Sequence, residues 1–255
     1  MYLTRDFTDA ANGFVATHRI FNDTHDVNGF IGYMPSDKTI YVVFRGSQSF
    51  ENFVDDMNIH QEIYHADVCP GQCTAHKGFF AATQSVNEAV IAEVKNLLVA
   101  RSAWSIVVTG HSLGAALATF MAVEISIRLN LTNLRLFTYG SPRLGNLNTA
   151  TFISGLLGDR NRITHRKDIV PHMPLFAEHF THISGEWYED EAGLHACEGF
   201  EDPYCSFQFY FPSISDHMWY LGTQMGIFGC TLDDLDTVSR NVMEPGEEPS
   251  SQNPE

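Results

Sequence analysis

The sequence predicts an α/β domain built on a largely parallel sheet, and three observations carry that prediction. Short β-branched runs alternate with Ala- and Leu-rich stretches of helical spacing through the middle of the chain. The run Ser105-Ile106-Val107-Val108-Thr109 leads straight into Gly110-His111-Ser112-Leu113-Gly114, and residues 115–124 follow with strong helix formers. No internal repeat interrupts this alternation.

The elements follow in order. Residues 1–27 are polar and irregular, with one short helix near the start. Residues 28–34 and 39–44 read as paired strands around Pro35-Ser36-Asp37-Lys38. Residues 50–58 carry apolar side chains at 50, 53, 54 and 57, which is one face of a helix. Residues 79–100 read as one long helix with Phe79, Ala82, Val86, Val90, Val94 and Leu97 as its buried stripe. Beyond residue 129 come a strand at 134–139, a helix at 148–157 and a strand at 162–165. A strand and hairpin region runs from residue 181 through the second cysteine pair, and residues 217–224 read as a short, aromatic-rich helix. From residue 241 the composition turns to Pro, Glu, Ser and Gly, which predicts a disordered acidic tail over 241–255.

The 255 residues suffice for a substantial core, at 44% hydrophobic and 18% charged. The formal charge of −16 argues against nucleic acid and against strongly anionic membranes, and favours a neutral substrate phase. No apolar run reaches the roughly 18 residues of a membrane span, and the first residues contain no signal-peptide core. The five cysteines include two close pairs, Cys69/Cys73 and Cys197/Cys205. Beside the sequons at Asn22 and Asn130, these pairs suggest a secreted, glycosylated protein with short disulfide loops. The alternative is reduced thiols, or a metal site using Cys69, Cys73 and His76, but no second cluster completes a tetrahedron. Cys230 is left over.

The chemistry centres on Ser112. A strand entering Gly-x-Ser-x-Gly and a helix leaving it is the context of a nucleophile elbow, whose tight turn leaves no room for side chains at the flanking positions. The serine then stands exposed at the tip, above a helix N-terminus that favours developing negative charge. A serine hydroxyl needs a histidine oriented by a third group, and donors for an oxyanion. In such chains the order is Ser, then Asp or Glu, then His. Asp168 lies where a loop leaves a strand, at the C-terminal edge of the sheet where such residues gather; the alternative is an exposed acid paired with Arg166 or Lys167. His172, His179, His182, His195 and His217 all lie downstream, and pattern alone does not choose among them. His217, in a loop at the start of a helix, suits a mobile imidazole.

Six segments together resemble one family. They are Phe44-Arg45-Gly46-Ser47, His76-Lys77-Gly78-Phe79, residues 108–114, Thr138-Tyr139-Gly140-Ser141-Pro142-Arg143-Leu144-Gly145-Asn146, residues 162–171 and Asp216-His217. In this order, across roughly residues 28–232, they are similar to the fungal-type class 3 triacylglycerol lipases, in the secreted yeast and filamentous-fungal branch. The resemblance implies an α/β-hydrolase fold with a helical lid, and Ser112, Asp168 and His217 as nucleophile, orienting acid and general base. It implies an oxyanion hole from the N–H groups of Ser47 and Leu113, aided by the Ser47 hydroxyl, with Asp56 holding that hydroxyl. Ile169, Val170 and Ile214 would line the acyl groove, and Phe53 would face it from a lid over 48–61. No cofactor or metal is implied. The expected enzyme is a secreted monomer acting on neutral lipid at the lipid–water interface.

Two departures accompany the resemblance. The family begins with a long N-terminal helix, so residues 1–240 are expected to form one domain lacking most of it. The cysteine that matches Cys230 in close relatives bonds an upstream partner, which is missing here. Two rivals remain at this point. One is a feruloyl or other soluble-ester esterase on the same scaffold, and the other is a non-catalytic lipid-binding protein.

Overall fold

The computed structural model describes residues 13–47, 59–65, 67–208 and 212–226. Its centre is an eight-stranded sheet in the order β1-β2-β3-β6-β7-β8-β9-β10. Strands β1 (Val15–Asn22), β2 (Val27–Met34) and β3 (Thr39–Phe44) form an antiparallel meander. From β3 the sheet is parallel through β6 (Ser105–His111), β7 (Leu134–Tyr139), β8 (Asp159–His165) and β9 (Glu186–Asp190). β10 (Gly193–Ala196) closes that edge antiparallel to β9. Two short pairs lie outside it, β4 (Gln61–Ile63) with β5 (Thr74–His76), and β11 (Trp219–Tyr220) with β12 (Thr223–Gln224).

The helices pack on the sheet, whose central strands β3 and β6 are apolar on both faces. α1 (Lys77–Gln84) and α2 (Asn87–Ala100) present the predicted stripe, and Phe79, Ala82, Val86, Val90, Val94 and Leu97 are all buried. α3 (Leu113–Leu129) is buried almost all round and runs through the middle of the core. α4 (Leu147–Leu156) and the four-residue α5 (Ile214–His217) complete the set. Within α3 lies one buried acid, Glu124, held by Gln84 at 2.8 Å, Asn87 at 2.9 Å and His65 at 3.1 Å.

Three elements differ from the sequence reading. Residues 15–22, read as irregular, form the outer strand β1; Ile20 is its one fully buried residue, so the apolar alternation is too weak to register. The single helix over 79–100 is broken at Ser85-Val86. There the Ser85 hydroxyl donates to Ala82 O at 2.7 Å, and Asn87 turns its amide inward to Glu124. The helix over 217–224 is instead the end of α5 followed by a hairpin, because Leu221 and Gly222 both take positive φ, at 51° and 72°.

Cys69–Cys73 and Cys197–Cys205 are disulfides, which removes the metal reading of the first pair. His76 is engaged elsewhere: its Nδ1 caps α1 by accepting from Phe79 N at 3.2 Å. The lid helix with Phe53 and Asp56, the N-terminal helix, Cys230 and the 241–255 tail lie outside the described residues.

Candidate active site

Four loops leave the sheet on one edge, at the C-terminal ends of β3, β6, β7 and β8. They carry Ser47, Ser112, Gly140 and Asp168, so the parallel topology alone assembles the site from distant stretches of sequence.

Ser112 has φ 58° and ψ −127°, a backbone region that L-residues rarely enter. Such a conformation costs on the order of 1–3 kcal/mol and persists only where the surroundings enforce it. Here the enforcing contacts are visible. Ser112 N donates to Tyr139 O at 3.0 Å. A Cβ on Gly110 would overlap the main chain of Gly114, and one on Gly114 would overlap the carbonyl of Phe44. Only glycine fits at both flanks. The serine differs from expectation in one respect: it is 2% exposed. The main chain of Gly46 lies against it, since a Cβ there would come 3.3 Å from Ser112 Cβ. The Ser112 hydroxyl is buried with no hydrogen-bond partner among the described residues.

Asp168 is buried rather than exposed, and neither Arg166 nor Lys167 is what its carboxylate meets. Arg166 reaches out to Glu191 at 3.3 Å. The Asp168 carboxylate takes three donors: Val170 N at 2.8 Å, the Tyr220 hydroxyl, and His217 Nδ1 at 2.8–2.9 Å. Gly140, at φ +55°, makes room for this cluster; a Cβ there would lie 2.7 Å from Asp168 Oδ2 and 2.9 Å from His217 Cε1.

Among the five downstream histidines, His217 alone meets that carboxylate. His182 is engaged elsewhere, its Nε2 donating to Pro171 O at 2.7 Å. Burial, with the charges of Arg162 and Arg143, holds its pKa well below the ordinary value, so it is a neutral core group. His172 bonds Asp168 O at 2.8 Å, His195 pairs with Asp190 at 2.9 Å, and His179 sits in a left-handed turn.

The remaining expected residues divide. Leu113 opens α3, and the first N–H groups of a helix have no acceptor within it. The Ser47 hydroxyl donates to Asp26 Oδ2 at 3.1 Å, and the other Asp26 oxygen takes Arg45 Nη2 at 2.9 Å. While its single proton is committed there the hydroxyl has none for an oxyanion, so the expected help from it is not what this arrangement supplies. Val170 is buried, Ile169 is partly so, and Ile214 is 48% exposed beside the His217 turn. Asp26 and Tyr220 were missed by sequence reading. One lies in a four-residue turn with φ 48°, the other on a two-residue strand, and neither carries a pattern.

Two buried arginines brace the loops around the site. Arg143 holds Glu201 bidentately, at 2.8 and 2.9 Å, tying the loop after β7 to the loop closed by Cys197–Cys205. Arg162 holds Glu186 at 2.8 Å across β8 and β9. The one grouping of three metal-ligand side chains among the described residues is Cys197, Asp202 and Cys205, and both of its cysteines are in a disulfide. An open groove of about 620 Å3, lined by Asn146, Leu147, Phe176, His179 and Thr181 among others, touches none of Ser112, Asp168 and His217.

This geometry is that of the α/β-hydrolase class, and comparison with known proteins narrows it. The family model described as Lipase (class 3) matches residues 41–178. The lipase of Rhizomucor miehei is 33% identical over 216 residues, 81% of this chain and 58% of that protein. Secreted mono- and diacylglycerol lipase A of Penicillium cyclopium is 34% identical over 164 residues, 64% of this chain and 52% of that protein. The chain thus spans between half and two thirds of the length of these curated relatives. The solved Rhizomucor miehei triacylglyceride lipase superposes with a TM-score of 0.79 at 30% identity, covering 86% of this chain and 84% of that one. A triacylglycerol lipase described as having a serine protease triad as its catalytic centre superposes equally well, with a TM-score of 0.79 at 31% identity over 85% of this chain and 83% of that one. The chain belongs to the class 3 lipase family.

Proposed function

We propose that this chain is a serine carboxyl-ester hydrolase, a triacylglycerol lipase acting at lipid–water interfaces. The observation that carries the proposal is the buried His217–Asp168 pair, on the same sheet edge as a serine strained into the elbow. In the proposed reaction Ser112 Oγ attacks the ester carbonyl and its proton passes to His217 Nε2. Asp168 holds Nδ1–H and stabilises the imidazolium. The N–H groups of Ser47 and Leu113 receive the oxyanion. Collapse expels the alcohol, protonated by His217, and water then cleaves the acyl-enzyme by the same steps in reverse roles.

A lipid substrate is supported by the relatives' names and by the apolar surface near the site. Ile214, three residues before His217, is exposed there, and Ile169 and Val170 flank Asp168 as acyl-groove candidates. Two disulfides support a secreted location. All three reacting groups come from one chain, so a monomer suffices. Among the described residues no helix is long and apolar enough to cross a membrane.

A fluorophosphonate probe should label the protein, and Ser112→Ala should abolish both labelling and tributyrin hydrolysis. Triolein, a monoacylglycerol and methyl ferulate assayed side by side then fix the substrate class. Turnover confined to methyl ferulate would remove the lipase reading, and labelling that survives in Ser112→Ala would remove Ser112.

A further inference from the structure

His111 is the residue of the elbow pentapeptide to which the proposed chemistry gives no task. It ends β6, immediately before Ser112. Its side chain turns to the neighbouring histidine: Nε2 lies 2.9 Å from His217 O, and the two rings lie 4.3 Å apart at 31°. A carbonyl oxygen only accepts, so this contact requires the proton on Nε2.

The segment so held has little structure of its own. α5 has four residues and its closing bond is Met218 N to Ser215 O at 3.2 Å. A second imidazole grips the preceding carbonyl, with His165 Nδ1 2.9 Å from Asp216 O. Consecutive carbonyls of the base-bearing turn are therefore held by histidines from the ends of β6 and β8. The Tyr220 ring sits between them, 5.6 Å from His111 and 5.7 Å from His165.

We propose that His111 is a positioning residue: by donating from Nε2 to His217 O, it fixes the main chain from which the catalytic imidazole reaches toward Ser112. The proposal rests on the hydrolase reading. It explains why a polar ring occupies a position where the elbow itself demands only a side chain that fits. The ring also has a suitable charge state. Burial, and then the neighbouring His217, push its pKa down to about 3, so His111 stays neutral beside the imidazolium that forms in each cycle.

The test compares two replacements. His111→Phe keeps a ring against His217 and removes the donor, whereas His111→Gln brings an amide N–H to about the reach of Nε2. On tributyrin, kcat of the Phe variant should fall about 10²-fold, the scale at which misplacing a reacting group by an ångström acts, with KM within twofold. The rate of fluorophosphonate labelling should fall in parallel. His111→Gln should recover at least tenfold of that loss. If the Phe variant does not fold, His111→Asn, whose amide stops short of the carbonyl, takes its place in the comparison. A Phe variant within threefold of wild type, or a Gln variant no faster than Phe or Asn, overturns the positioning role. Wild-type protein inert to both ester and probe would instead overturn the hydrolase reading.

Discussion

Tyr220 shows how much of this site depends on single groups that lie outside any motif. Its ring is fully buried and its hydroxyl donates to Asp168 Oδ2. Burial, followed by the charge of Asp168, raises its pKa well above the ordinary value, so the phenol remains a donor throughout the working range. It shares the carboxylate with Val170 N and His217, and so fixes the plane in which Asp168 meets the imidazole. A hydrogen bond to a charged group contributes about 1.5–3 kcal/mol, and Tyr220→Phe removes only that. We expect kcat to fall about ten- to hundredfold with KM little changed. Unchanged kcat would mean that the carboxylate is held well enough by its other two donors. The same residue marks the limit of sequence reading. Ser112 and its glycines are legible because their local geometry is encoded locally. Asp168 was open to a surface ion pair, and His217 was one of five, because their roles depend on contacts across 49 residues and more. Only the family resemblance singled them out.

At the scale of elements, the tightest constraint is the approach of α3 to the end of β3. A Cβ on Gly114 would overlap Phe44 O and lie 2.8 Å from the carbonyl carbon of Arg45. These are main-chain atoms, so neither partner can yield by changing a rotamer. Gly114→Ala should therefore destabilise the protein by about 2–3 kcal/mol or more, as overpacking does. It should also cut activity beyond the loss of folded protein, because the strand end it displaces leads to Ser47. Gly155, near the end of α4, is the contrast. Nothing lies within 4 Å of a Cβ there, and Gly155→Ala should raise stability by about 0.5 kcal/mol. Thermal melts of the two variants check both signs; equal melting temperatures would contradict the steric argument. β3, β6 and α3 were legible for a related reason: they are largely buried and announce themselves by near-continuous apolar runs. β1 and the β11–β12 hairpin were not. One is an edge strand with a single buried apolar residue, and the other is two residues per strand, its turn set by left-handed backbone at Leu221 and Gly222.

For the whole molecule, the net charge of −16 and the buried ion pairs pull stability in opposite directions as pH falls. Protonating surface carboxylates relieves self-repulsion and favours the compact state. Protonating buried, paired carboxylates does the reverse. Glu186 is the sharpest case. Burial alone would raise its pKa, but the Arg162 charge and the hydrogen bonds from Ser206, Thr164 and Arg162 outweigh burial and hold it below the ordinary value. Glu124 follows the same pattern: burial opposes the shift, and His65, Asn87 and Gln84 overcome it. A folded-state pKa below the unfolded one means that the contribution to stability is complete above about pH 4.3, the unfolded value for a glutamate. It is lost as pH falls through the folded value. The two opposing effects separate in a comparison of wild type with Glu186→Gln, which leaves the surface charges alone. At pH 7 the variant strands the buried Arg162 cation, at a cost of about 3 kcal/mol. That corresponds to roughly 10 °C in melting temperature for a domain of this size. Below pH 4 the gap should narrow, because wild type protonates Glu186 and loses what the variant never had. A gap that stays constant from pH 7 to pH 3 would mean that the Glu186 pKa is the same folded and unfolded, and that Arg162 and the neighbouring donors do not favour its charged form.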